Sequence, residues 1–321
     1  MVLAFVEHEA GEPAELSLEA LTLARGLAAE TDSALAAVAF GPEGDGVADH
    51  LGAYGVGTVH HADVGDGGYA PQAWGESVAE LVADLEVEAV VAPGSDRGHE
   101  VLTHAAADRD QPMAAGCIDV EVGEAYELTR QRWGGSLIEH ARLEAPTKLL
   151  TAAPHEHPIE EAAEPAEATV EAFEPELPES ALGVTLERVE ESDVEGVPLG
   201  EARVVVGGGR GVGGPDGYDQ LEDLADLLGG AVGASRAAVN EGWRSHDSQI
   251  GLTGTKISPD IYIACGISGA VQHMVGCKGA SSILAINTDP EAAIMQKADY
   301  AVVGDLHEVV PALNDAIRAR E

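Results

Sequence analysis

Residues 202–214 read ARVVVGGGRGVGG. A β-branched apolar run, Val204 to Val206, breaks into a glycine loop, and the following residues set Leu221, Leu224, Ala225 and Leu228 on one helical face. Strand, glycine turn and helix in this order open a βαβ series, and therefore a parallel sheet. Gly209, Gly211 and Gly214 satisfy GxGxxG, a spacing that suggests a dinucleotide pyrophosphate on a helix N-terminus. A nicotinamide-dinucleotide fingerprint also needs an acid about 20 residues further on for the ribose hydroxyls. The next strand ends instead in Ser235-Arg236, so the glycine spacing alone carries little weight.

Downstream, strands are expected at Ala231–Ala234, Asp260–Cys265, Ser282–Asn287 and Tyr300–Val303, with helices after Gly269, after Asp289 and from Leu306 to Ala319. Between the second of these strands and its helix lies the small-residue turn Gly266-Ile267-Ser268-Gly269, with the helix starting at Ala270 and followed by Val271. Backbone N–H groups of such a turn can approach an anion because no side chain blocks them, and the helix dipole adds partial positive charge. Gln272 and His273 fall in the first turn. Taken alone, His273 reads as an ordinary surface or capping histidine. Arg210, Ser235-Arg236, Asn287 and Asp305 directly follow strands, so they share the rim where open α/β sheets bind ligands. Any one of them fits a cap, Asn287 before TDP especially, but the group of them at equivalent places points to a site.

Upstream, residues 2–7 (VLAFVE), the leucine-rich helix around residues 16–27, the strand 33–41 and the helix-strand run ending at Val90–Ala92 repeat the same alternation. From Pro154 to Glu201 the chain is rich in Glu, Ala and Pro, and residues 183–198 (GVTLERVEESDVEGVP) read as one more strand with a turn. The expected architecture is two parallel-sheet α/β domains: residues 1–200, with an acidic linker from about 154, and residues 201–321, which are Rossmann-like.

The 321 residues carry 57 Asp or Glu against 17 Lys or Arg, a net charge of -40. Such a field repels nucleic-acid phosphates and anionic membranes. With 13 Arg and only 4 Lys, the balance matches a surface adapted to concentrated salt, as in halophiles. Residues 1–200 hold 41 acids against 8 bases, whereas residues 201–300 hold 12 against 7. The second stretch resists acidification, as a surface that binds an anion would. Cys117, Cys265 and Cys277 form no CxxC pair, which removes cysteine-ligated metal and a disulfide framework and fits a reducing cytoplasm. No metal site and no nucleophile or acid–base pair emerges. Neither a run of eighteen apolar residues nor a basic leader is found, so export and membrane insertion are not expected.

The segments VVGGGRG, LADLLGGAVGASRAAVNEGW, SQIGLTG, SPDIYIACGISGAVQHMVGCKGA, ILAINTDPEAAIMQKADYAVVGDL and VVPAL, in order through residues 203–313, resemble the alpha subunit of electron transfer flavoprotein, of the FixB type. The first half resembles that family more loosely, through VLAFVEH and AYGVGTVHHAD. The resemblance implies one FAD in the C-terminal domain and a beta subunit that completes a heterodimer. By motif, Arg210 lies at the cofactor and Ser235-Arg236 puts a guanidinium over the flavin. Gln249, Ile250, Gly251, Leu252 and Thr253 run along the isoalloxazine, with the Thr253 hydroxyl near N5. Ser268, Gly269, Ala270, Val271, Gln272 and His273 hold the pyrophosphate and ribityl chain, His273 reaching the C2 carbonyl, and Asn287, Asp305 and Leu306 belong to the adenosine end. A flavin that takes an electron gathers negative charge at N1–C2=O, where a cation or donor stabilises it. Leu252 departs from the usual Gln, Thr255-Lys256 inverts the usual order, and Ala293 replaces a common Pro.

The implied function is electron transfer from flavin dehydrogenases, such as those of fatty acid oxidation, to a membrane quinone oxidoreductase. One alternative is a FixAB-type bifurcating complex using NADH, with a second FAD in the partner. From other classes come an NAD(P)-dependent oxidoreductase in which Arg236 reads a 2′-phosphate, and a flavin-free nucleotide-binding scaffold.

Overall fold

The computed structural model describes residues 1–64, 68–133, 137–186 and 197–320. Two compact units divide the chain, residues 1–131 with 138–191 and residues 132–137 with 192–321.

The first unit contains β1 (Val2–Phe5), β2 (His8–Glu9), β3 (Glu12–Pro13), α1 (Glu15–Glu30), β4 (Leu35–Phe40), α2 (Ala48–Leu51), β5 (Thr58–Ala62), α3 (Pro71–Asp84), β6 (Ala89–Ala92), α4 (Asp96–Asp108), β7 (Met113–Glu121), β8 (Tyr126–Arg132), β9 (Leu137–Leu143), β10 (Lys148–Ala152) and β11 (Thr169–Ala172). Its sheet runs β11-β5-β4-β1-β6-β10-β7-β8-β9. Val2 and Ala4 of β1 pack with α1, while Leu3 and Phe5 pack with residues of α3 and α4. Cover on both faces is why β1, β4 and β6 read as continuous apolar runs. Beyond the expected parallel strands, β7 pairs with β8 antiparallel. Of the strand expected within 183–198, residues 183–186 and 197–198 form none, and residues 187–196 lie outside the described residues.

The second unit contains β12 (Val204–Gly208), α5 (Asp219–Leu227), β13 (Ala231–Ser235), α6 (Arg236–Asn240), β14 (Gln249–Ile250), β15 (Ile261–Cys265), α7 (Val271–Gly276), β16 (Ser282–Asn287), β17 (Tyr300–Val303) and α8 (Leu306–Arg318). All pairings in its sheet are parallel, in the order β14-β13-β12-β15-β16-β17. Numbered within the unit, this is 3-2-1-4-5-6, the doubly wound order with its switch point between β12 and β15. The sheet separates two cores: Tyr262 and Ala264 of β15 enter one, Ile263 and Cys265 the other. Leu221, Leu224 and Ala225 of α5 are buried on the expected face.

The helix expected after Asp289 does not form. Asn287 Oδ1 accepts from Asp289 N (3.0 Å), Asp289 Oδ1 accepts from Glu291 N (2.9 Å), and residues 290–297 form consecutive turns. Side-chain oxygens that capture the next amides favour turns over a helix.

Candidate functional site

The switch point fixes where the loops after β12 and β15 meet. Gly209 N donates to Cys265 O (2.9 Å) and Gly211 N to Gly266 O (3.0 Å). A Cβ on Gly211 would lie 2.6 Å from the Gly266 Cα, so side chains at either position would separate the loops. Gly209 and Gly211 of the GxGxxG spacing thus serve contact between loops of one sheet, whereas a Cβ on Gly214 would meet nothing within 4 Å.

Above this floor opens a cleft of about 630 Å³, in the range of small-molecule and cofactor sites. It is lined from the ends of five strands, β12 to β16. After β12 stands Arg210, and β13 ends in Ser235, which caps α6 by accepting from Ala238 N (3.3 Å), with Arg236 next. Gln249, Ile250, Gly251, Leu252 and Thr253 form one wall. That wall is fastened to α7 through Leu252 N to Gln272 O (2.8 Å), and Gln249 Nε2 donates to Thr253 Oγ1 (3.1 Å). After β15 come Ser268, Ala270, Gln272 and His273, with Asn287 at the end of β16. Asn287 Nδ2 donates to Ile267 O (2.9 Å), which ties the end of β16 to the turn.

Four expected residues stand beside the lining rather than in it. Gly269 (φ +79°) packs against the 290s turns, Val271 opens α7, and Asp305 caps α8 by accepting from His307 N (2.9 Å). Leu306 is buried next to Gly266. The lining also holds Ala237, Asn240, Asp289 and Ala292, which the sequence reading did not single out. Asn240 follows Arg236 by four residues on α6, a spacing that places both on one helical face and could have exposed it.

Charge and burial define the chemistry. Among the described residues neither Arg210 nor Arg236 pairs with a carboxylate, although Arg203, Arg244 and Arg318 of the same unit do. Two unpaired guanidiniums in a chain of net charge -40 favour an anionic ligand. His273, unlike the surface histidine it resembles in sequence, is only 6% exposed. Burial drives its pKa down from 6.5 to about 4, with the Ile250 backbone pulling weakly the other way, so the ring is neutral near pH 7. Its Nε2 lies 2.8 Å from the Tyr262 hydroxyl, while among the described residues Nδ1 makes no well-formed hydrogen bond.

A doubly wound sheet with a cationic cleft at its switch point, walled by a buried imidazole and a glycine-rich turn, defines a dinucleotide-binding α/β protein. Comparison with known proteins narrows the class. The profile of the electron transfer flavoprotein FAD-binding domain matches residues 198–278, and that of the electron transfer flavoprotein domain matches residues 2–178. The chain is 33% identical over 320 residues to the electron transfer flavoprotein subunit alpha of Thermoanaerobacterium thermosaccharolyticum, covering 98% of this chain and 96% of that one. It is 37% identical over 325 residues to the subunit alpha of Mycobacterium leprae (99% and 98% covered). Against protein FixB of Clostridium saccharobutylicum the identity is 35% over 326 residues (97% and 94% covered). The chain belongs to the electron transfer flavoprotein alpha-subunit family, and its cofactor is FAD. The residues present fit that group: guanidiniums and a helix start for the pyrophosphate, hydroxyl and amide side chains for the ribityl and ribose oxygens, and a buried neutral imidazole for a ring carbonyl.

Proposed function

We propose that this chain carries electrons as one half of a heterodimer with a beta subunit, receiving them from flavin dehydrogenases and passing them to a membrane quinone oxidoreductase. FAD supplies the electron-accepting ring. Arg236 and Arg210 would offset the standing charge of its pyrophosphate and negative charge on a reduced ring, since a preorganised cation in a partly enclosed cleft costs no rearrangement. Thr253, whose oxygen already accepts from Gln249, keeps its O–H to donate. Ser268 through His273 take the pyrophosphate and ribityl chain, and Asn287, Asp305 and Leu306 hold the adenosine end. Residues 201–321 act as the cofactor domain. Residues 1–200, with the acidic stretch from about 154, meet the beta subunit. The acid excess adapts the surface to a salt-rich cytoplasm.

The observation that carries this reading is the pair of arginines at the switch-point cleft that meet no carboxylate among the described residues. The test is the visible spectrum of the chain co-purified with its beta subunit, alongside Arg236→Ala. A yellow heterodimer whose flavin spectrum shifts or is lost in the variant supports the reading. A colourless complex that protects NADP instead would refute it. The identity to protein FixB supports a second reading, a bifurcating complex using NADH. Two flavins per heterodimer favour that one, and a single flavin with AMP opposes it.

Among the described residues no helix is long and apolar enough to cross a membrane. Delivery to a membrane acceptor therefore proceeds, in this proposal, by docking.

A further inference from the structure

Tyr262, in β15, is fully buried, and its hydroxyl sits 2.8 Å from Nε2 of His273, with the two ring centroids 6.0 Å apart. The space it fills is reserved by sequence: a Cβ on Gly207 would lie 2.3 Å from the Tyr262 hydroxyl oxygen. The first glycine of VVGGGRG therefore makes room for a phenol, not for a ligand. His273 lines the cleft, and among the described residues its Nδ1 is buried without a well-formed hydrogen bond.

Both groups are neutral near pH 7, because burial raises the Tyr262 pKa well above 10 and lowers that of His273 to about 4. A neutral imidazole has one N–H and one lone pair, on opposite nitrogens. Among the described residues the phenol has no other hydrogen-bond partner than Nε2. If Nε2 held the imidazole proton, the phenol O–H would be buried without an acceptor, a costly arrangement. If the phenol donates, its O–H and the Nε2 lone pair are both used and the imidazole proton sits on Nδ1, where the Ile250 backbone is a weak acceptor. The Ile250 backbone, which favours a protonated ring, agrees with that placement.

We propose that Tyr262 is a positioning residue for the cofactor site: its hydroxyl donates to Nε2 and holds the His273 ring, protonated on Nδ1, in place at the wall of the cleft. The inference rests on the FAD reading of the cleft, and it assigns Gly207 the role of admitting the phenol. Tyr262 touches no cofactor atom in this account. It acts through His273.

The test is nitrogen NMR on the full-length chain with ¹⁵N-labelled histidine, with and without FAD, the His273 signals among the twelve histidines being identified by their loss in His273→Gln. The expected result is a protonated Nδ1 and a bare Nε2 in the wild type in both states. In Tyr262→Phe the proton moves to Nε2 or divides between the nitrogens, and FAD binds about 10-fold more weakly, equivalent to ~1.4 kcal/mol. Should Tyr262→Phe not fold, Gly207→Ala, which displaces the phenol, is expected to move the proton in the same direction. A wild-type ring protonated on Nε2 overturns the proposal, as does a folded Tyr262→Phe that keeps the proton on Nδ1. Because the tautomer is read without flavin, a protonated Nδ1 in a chain that binds no FAD would support the tautomer assignment and sink the cofactor reading separately.

Discussion

Acidification should weaken the second unit through a single ring. His273 is neutral in the folded chain until about pH 4, whereas in the unfolded chain it takes a proton at its ordinary 6.5. Above 6.5 both states leave the ring neutral and the group contributes nothing to pH dependence. Below it the unfolded state binds the extra proton, so stability present at neutral pH is lost as pH falls toward 4. Each pH unit in that window costs ~1.4 kcal/mol, which gives about 2 kcal/mol by pH 5 and on the order of 3 kcal/mol by pH 4. Against a total stability of roughly 5–15 kcal/mol, that is a large share. Urea unfolding of the wild type and of His273→Gln, from about pH 7 down to about pH 4.5 at fixed ionic strength, isolates the effect. The many titrating carboxylates are common to both proteins and cancel in the difference. The stability difference between the two should change with pH at the stated slope, the wild type losing ground as acid is added. Parallel pH curves would refute the argument, since they would mean that the ring titrates alike folded and unfolded.

Further outcomes follow from the site and its surroundings. Gly276→Ala places a Cβ 2.3 Å from the Gly251 amide nitrogen, so it should push the 249–253 wall off α7. The expected cost is about 1–3 kcal/mol with less flavin retained, read from urea midpoints and the flavin-to-protein ratio. Burial pushes the thiols of Cys117 and Cys265 up to about 12 and that of Cys277 to about 11. A chromogenic disulfide reagent near pH 8 should label none of them until the chain is unfolded, and stoichiometric labelling of the native protein would contradict this. With a net charge of -40, self-repulsion should ease as salt rises, so Tm should climb between about 0.1 M and about 2 M KCl; a flat profile would exclude repulsion as a determinant of stability.

What the sequence disclosed, and what it withheld, divides along a physical line. The β12 strand, its glycine loop and the α5 face were readable because β-branched residues and leucines at helical spacing each commit to one period. The rim residues were readable because parallel topology places every strand end on one side. Residues 290–297 misled because Ala292, Ile294 and Met295 are buried at spacings a helix would also use, while the deciding Asx turns are a matter of three-dimensional geometry. The two-residue β14 is too short for any period to show. The true employment of Gly207, Gly209 and Gly211 depends on what stands opposite each of them, and the burial of His273 on a phenol eleven positions earlier.

The strand order of the second unit also sets a timetable. β12 is made first in that unit, yet its inner neighbour is β15, with Val204 opposite Ile261 and Gly208 opposite Cys265. The Gly211–Gly266 contact under the cleft cannot exist until the intervening chain and β15 have been synthesised and docked, and Asn287 fastens the turn later still. Long-range parallel pairing of this kind is slow and leaves strand edges bare meanwhile. A nascent chain on the ribosome therefore offers no finished berth for a dinucleotide, and cofactor loading belongs to the interval after residue 287 has emerged.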